Sequence, residues 1–258
     1  MSLTANPPEL IISLSHNKIG FRLTETEGSG TSGWQGSYPV DGIFLQDQVS
    51  GVLDTALTQQ ERLFEPIADV ALLIMDRPNV TIPEFYNDDP DRLTDIAGKY
   101  LRTRAGDMFA FDQAPGAIRI AYSVPSSTIH LIREYFAKAS CLHMTTVLWS
   151  AISKHIQALS ENLSRVFFFT SDNTLTVIRS GKDGMTFSRT FPIQDQGDLA
   201  YYAIACHRML RSSENWLVTI RDNSDGFEFP SETYLPVHHR LELPDLKTLI
   251  SGIWSCAS

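Results

Sequence analysis

The chain has little of what most readily marks a function. Its 258 residues include only three cysteines, Cys141, Cys206 and Cys256, odd in number and far apart. That spacing makes no disulfide framework, and none of the three has a neighbour at metal-ligand spacing. Cys141-Leu-His143 comes nearest and reads as packing. Positive charge is scarce: 21 Lys and Arg stand against 30 Asp and Glu, for a formal net charge of −9. A broad phosphate-binding face needs clustered Lys and Arg to displace counterions, so nucleic acid is not an expected partner. No apolar run reaches the roughly 18–20 residues of a membrane span, and the N-terminus lacks a basic-then-apolar signal pattern. The expectation is a cytoplasmic chain with no membrane insertion. There is no Gly-x-Ser-x-Gly elbow, and the Gly/Ser run at residues 28–33 lacks the Lys and the preceding apolar strand of a phosphate loop.

What is present is a globular composition, 43% hydrophobic and 20% charged, and an internal repeat. Apolar runs at residues 10–14 and 18–23 flank a polar break at His16-Asn17. They predict two strands across a tight turn, since Asn tolerates positive φ. A third strand is expected over 34–40. From Asp47 to Phe64, Val49, Val52, Leu53, Ala56, Leu57 and Leu63 recur at helical spacing, and Pro66 ends the pattern. Val70-Ala-Leu-Leu-Ile-Met75 is then an uninterrupted run of strand length, as for a central strand covered on both faces.

The second half repeats this order. Laid on residues 10–23 without a gap, residues 166–179 place Val166 on Leu10, Ser171 on Ser15, Asn173 on Asn17, Leu175 on Ile19 and Val177 on Phe21. A turn at 181–184, a strand over 185–191, a helix over 198–210 and a strand over 216–220 follow. Between the halves lie a helix at 91–102 behind Asp89-Pro90, a strand at 117–124, a helix at 128–139 with Ser126 or Ser127 as its cap, and a helix at 146–159. No long Pro-rich linker intervenes, which favours two packed subdomains, 9–115 and 116–258.

A duplicated three-strand meander, helix and strand resembles the actin-like ATPase fold, two ribonuclease-H-like halves around a nucleotide cleft. The likeness is closest to the actin-like protein of type IV pilus assembly and its type II secretion relatives. In those proteins a segment like residues 72–83 leads to a helix like 92–101, then a strand and helix like 118–125 and 129–136. The chain is also similar to a functionally uncharacterised bacterial family. There, a strand ending near Asn-x-Phe leads to an acidic residue and a Tyr-Tyr helix, as at 185–191 and Gly197-Asp-Leu-Ala-Tyr-Tyr-Ala203, although Arg189 stands in place of the Asn. The implied fold class is α/β, a duplicated ribonuclease-H-like (actin-like ATPase) fold whose two subdomains carry mixed five-stranded sheets.

That resemblance implies two Asp-x-Gly turns whose backbone N–H groups approach phosphates, with carboxylates holding Mg²⁺. The first hairpin offers Ser13-Leu-Ser-His-Asn17, with neither Asp nor Gly; the second offers Thr170-Ser-Asp-Asn173, with one acid and no Gly. Ser15, Asn17, Ser171, Asp172 and Asn173 are therefore the candidate nucleotide-contacting residues, in turns whose side chains stand where phosphate oxygens belong. Asn223-Ser-Asp-Gly226, the nearest to an adenosine turn, reads as a plain turn.

His130 and His143 read as local hydrogen-bonding residues. His238 and His239 alternate in a strand and face opposite ways, so they cannot chelate one metal together. Asp88-Asp-Pro-Asp91 sits at a helix start, where the macrodipole favours acids. Phe167-Phe-Phe169 reads as a buried strand, and Tyr201-Tyr202 puts one ring near a helix surface.

The expected function is a non-enzymatic scaffold or adaptor, by analogy in envelope or secretion assembly. It would hold an unidentified protein partner, with a homodimer among the states open to it. The alternative is an ATP-binding or ATP-hydrolysing actin-like enzyme with divergent phosphate loops. The sequence names no catalytic residue, metal ligand or cofactor.

Overall fold

The computed structural model describes residues 9–15, 18–23, 34–40, 46–59, 67, 69–83, 89–159, 163–171, 173–182, 184–221, 229 and 235–257. In chain order the strands and helices are β1 (Glu9–Leu14), β2 (Lys18–Leu23), β3 (Trp34–Pro39), α1 (Gln46–Gln59), β4 (Asp69–Ile74), β5 (Asn79–Pro83), α2 (Pro90–Tyr100), β6 (Asp107–Ala114), β7 (Ile118–Pro125) and α3 (Ser126–Tyr135). Then come β8 (Ser140–His143), α4 (Met144–Gln157), β9 (Arg165–Ser171), β10 (Thr174–Gly181), β11 (Gly184–Pro192), α5 (Gln196–Leu210), β12 (Glu214–Ile220), β13 (His239–Leu243) and α6 (Leu246–Ala257).

Two five-stranded sheets have the same order, β3-β2-β1-β4-β8 and β11-β10-β9-β12-β13. In each, three antiparallel strands form a meander, and the fourth strand lies parallel to the first. The expected α/β class with two mixed five-stranded sheets is observed. The pairing follows from the apolar runs. β4 is buried along all but its first residue, whereas β2 alternates buried and half-buried positions, as a strand with one wetter face does. A three-stranded sheet, β5-β7-β6, contains the expected strand of residues 117–124 as β7 and adds β5 and β6, which the sequence pattern does not show.

The chain folds into two compact units. One comprises Met1–Met75, Thr103–Met108 and Val124–Leu142. Its core includes Leu10, Ile12, Phe21, Leu53, Leu57 and Leu72, all at most 1% exposed. α1 packs on α3 in this unit, where the Tyr135 hydroxyl donates to Asp54 Oδ1 at 2.7 Å.

The other unit comprises Asp76–Arg102, Phe109–Ser123 and His143–Ser258. On one face of its large sheet, Val166, Phe168, Leu175 and Val177 pack with Leu199, Ala203 and Cys206 of α5. α4 meets β10, β11 and α6. α2 buries Leu93 and Ala97 against Ile82 and Ala121 of the small sheet.

Helix ends follow local chemistry. Asp89 caps α2, its Oδ1 accepting from the N–H groups of Asp91 and Arg92, with Pro90 at the first helical position. The expected serine cap of α3 is corrected. The helix begins at Ser126 with Pro125 at the cap position and no side-chain cap bond. Ser126 Oγ donates instead to Gly106 O at 2.8 Å, and Ser127 Oγ accepts from Ser50. The expected continuation of α1 over residues 60–64, the Gly/Ser run and Asn223–Gly226 lie outside the described residues.

Candidate functional site

The two hairpin turns follow from the strands that flank them. Ser15 ends the run of β1 at 1% exposure. Its N–H and its Oγ both donate to Lys18 O, at 3.0 and 3.1 Å. In the second turn Ser171 stands opposite Thr174, whose Oγ1 donates back to Ser171 O at 2.5 Å. Asn173 is left-handed, with φ 61°, and its carbonyl accepts from Ile193 N–H at 2.7 Å. Asn has the side chain best suited to that backbone region after glycine.

Ser171 and Asn173 thus share one turn, Ser15 belongs to a turn of the other compact unit, and Asn17 and Asp172 lie outside the described residues. Compared with Asp-x-Gly, the second turn has a left-handed Asn where a glycine would stand. Among its described residues, the Thr174 hydroxyl and the Ser171 and Asn173 carbonyls are engaged in closing the turn. Among the described residues no group of three His, Cys, Asp or Glu side chains is placed to hold a metal ion.

The second unit also contains a buried polar network that sequence reasoning missed. Asp112 on β6 accepts from the Tyr122 hydroxyl at 2.7 Å, the His143 N–H at 2.7 Å and Thr146 Oγ1 at 2.6 Å. Burial raises its pKa to about 6, against the lowering effect of those three bonds. His143, fully buried, caps α4 by accepting from Thr145 N–H at Nδ1, 3.0 Å away. Its Nε2 lies 2.9 Å from Arg77 O, so the neutral ring carries its proton on Nε2. Burial lowers its pKa to about 4. Asn79 extends the network, with Ser188 Oγ donating to its Oδ1 at 2.5 Å and its Nδ2 donating to Thr145 at 3.2 Å. Every one of these groups is satisfied, so the network serves as a polar tie between the small sheet, β11 and α4. His143 is thus the local hydrogen-bonding residue expected. Cys206 sits in the apolar core, where burial pushes its thiol up to about 11 and makes it a packing group.

A third cluster lies at the start of β9. Arg165 Nε donates to Glu214 Oε2 at 2.8 Å, and Trp216 Nε1 donates to the same oxygen at 3.0 Å. Burial pushes the Glu214 carboxyl up, but these bonds more than offset it and hold it below its usual value. His239 opens β13 against this cluster, while His238 precedes the strand and accepts from Asn215 N–H at Nδ1. On α5, Tyr202 stacks on Phe191 at 4.7 Å, and Tyr201 is 68% exposed, the surface ring expected from the pair. No helix of the described residues is long and apolar enough to cross a membrane.

Comparison with known proteins agrees with this architecture. A Bacteroides thetaiotaomicron protein with actin-like ATPase fold and unknown function superposes with a TM-score of 0.73 at 13% identity, over 98% of this chain and 97% of its own. The PilM–PilN type IV pilus biogenesis complex matches with a TM-score of 0.49 at 10% identity, over 93% of this chain and 91% of the other. The cytoplasmic domain of EpsL, from the type II secretion system of Vibrio cholerae, matches with 0.49 at 9%, over 97% and 95%. The fold assignment rests on the first. No curated protein matches the chain. The profile described as "Protein of unknown function (DUF3822)" matches residues 2–215, so this actin-like chain belongs to that family.

Proposed function

We propose that the chain is a non-enzymatic scaffold or adaptor of the cytoplasm, built on an actin-like fold from repeat halves 9–115 and 116–258, and that it acts by holding a protein partner. One observation carries this reading: where Asp-x-Gly turns would serve phosphate and metal, the described residues use their polar atoms to close the turns. Ser15 bonds twice to Lys18 O, and Thr174 bonds to Ser171 O. Ser15, Asn17, Ser171, Asp172 and Asn173 are, in this reading, the remnant of phosphate turns rather than a working site. Phosphoryl transfer rests on positioning and charge stabilisation, and hydroxyls committed to their own backbone supply little of either.

A second reading, an ATP-binding or ATP-hydrolysing enzyme with divergent loops, draws on Asn173. Its left-handed backbone is the conformation a glycine would have in such a turn. Phosphate release from Mg-ATP separates the two. A scaffold releases none above the protein-free blank, and Ser171→Ala leaves that unchanged. Sustained release that Ser171→Ala abolishes overturns the scaffold and establishes the enzyme.

A further inference from the structure

The end of the second large sheet opposite its Ser171–Thr174 turn carries a row of polar residues in register across three strands, Ser180 on β10, Arg165 on β9 and Glu214 on β12. A central strand buried on both faces is the least favourable place for a charge, which persists there only when paired and hydrogen-bonded. Arg165 is nevertheless 3% exposed.

Beside this row an open cavity of about 560 Å³ is lined by Arg165, Glu214, Trp216, His155, His239 and Arg240. The Trp216 indole contacts two imidazoles, His239 at 4.3 Å and 30° from parallel, and His155 edge-on at 5.5 Å. Glu214 Oε2 already takes Arg165 and Trp216, and Oε1 faces His239 Nε2 at 3.6 Å. Arg165 and Glu214 therefore cancel. What the cavity wall adds is the Arg240 guanidinium, two imidazoles and a stacked aromatic face whose outer member, His239, is 47% exposed. In a chain of net charge −9 this is a locally cationic, aromatic recess.

We propose that this cavity binds a small aromatic anion, a carboxylate or phosphate carried on an aromatic ring. Arg240 takes the negative charge, His155 offers an N–H donor, and the ligand ring lies against the His239–Trp216 stack. Guanidinium and imidazole groups suit planar carboxylates and phosphates, and offset ring stacking adds orientation. The site is separate from the two hairpin turns, and its occupancy does not depend on whether those turns bind nucleotide.

The test is calorimetric titration of the full chain with phenyl phosphate and benzoate, with inorganic phosphate as the charge without a ring and benzylamine as the ring with inverted charge. At least one of the two aromatic anions binds with a dissociation constant of about 1 mM or tighter, and their ratio identifies the preferred anion. Arg240→Glu weakens that binding about 10-fold or more, and His239→Ala weakens it about 5-fold. Arg240 is on the surface, so its variant keeps the wild-type melting temperature, and Asn173→Gly leaves binding unchanged. The proposal is overturned if neither aromatic anion binds at about 5 mM, or if benzylamine or inorganic phosphate binds as tightly as they do. It is also overturned if a folded Arg240→Glu or His239→Ala variant keeps wild-type affinity.

Discussion

In β1, Glu9 stands opposite Asp69 of β4, an exposed residue; in β9 the same place belongs to Arg165, buried and opposite Glu214 of β12. At the other end of those strands the two sheets agree, with Ser15 and Ser171 each 1% exposed beside a hairpin turn. Strand order is thus indifferent to what its strand ends carry. The apolar runs that pair β1 with β4 and β9 with β12 specify the sheets. A few polar residues at the strand ends decide whether an end is plain surface, a closed turn or a recess with charge and aromatic rings.

The largest expected effect comes from breaking the contrast at the Arg165 end. Arg165→Ala leaves Glu214, only 20% exposed, without its guanidinium, and should cost about 3 kcal/mol in urea unfolding. Asp69→Ala, at the matching place in the first sheet, should stay within about 0.5 kcal/mol. Equal losses at the two sites would erase the difference between the sheets.

The Asp112–His143 network gives the second unit a pH signature. His143, lowered to about 4 in the fold, stabilises fully above its unfolded pKa of about 6.5, and that contribution is lost as pH falls from there toward 4. Asp112, raised to about 6, has the opposite sign. Its contribution is full below the unfolded pKa of about 3.9 and is lost as pH rises through 6. The two slopes oppose each other between about 4 and 6. His143→Asn retains a side chain able to cap α4 and removes the ring's titration. The stability difference between variant and wild type should therefore move toward the variant by about 3 kcal/mol as pH falls from 6.5 to 4. A difference independent of pH would mean that the ring is not held neutral.

Tyr122→Phe removes one of three donors to the Asp112 carboxylate and should cost about 2 kcal/mol at pH 7, read from the urea midpoint. The smallest effect sharpens the comparison at the turns. Asn173→Ala should cost about 1 kcal/mol because Ala is strained at φ 61°, while Asn173→Gly should be within about 0.5 kcal/mol of wild type. Equal losses for both would place the Asn173 contribution in its side-chain contacts rather than its backbone.

The repeat was legible because each of its elements announces itself: an uninterrupted run for β4, helical spacing for α1, and the Ser-to-Asn break between paired runs. Of the small sheet only β7 was. β6, Asp-Met-Phe-Ala-Phe-Asp-Gln-Ala, carries an acid at each end of its apolar stretch, and it buries one of them, Asp112, through bonds from Tyr122, His143 and Thr146. Partners 10, 31 and 34 residues away leave no local signal. Arg165 and Glu214 likewise read as surface residues by type, since 49 residues separate them. The cap of α3 was misread because Pro125, the residue before the two serines, holds the extended cap backbone itself. The candidate turn residues were legible as a departure from Asp-x-Gly, but not as turns closed by their own hydroxyls.

In the proposed scaffold the actin-like fold persists with turns that do not serve a nucleotide. The most direct test is the melting temperature of the full chain with and without millimolar Mg-ATP. Ligand binding to the native state at 100 times its dissociation constant stabilises by about 2.7 kcal/mol, a readily measured shift. The account predicts no shift; a clear upward shift that depends on Mg²⁺ would contradict it.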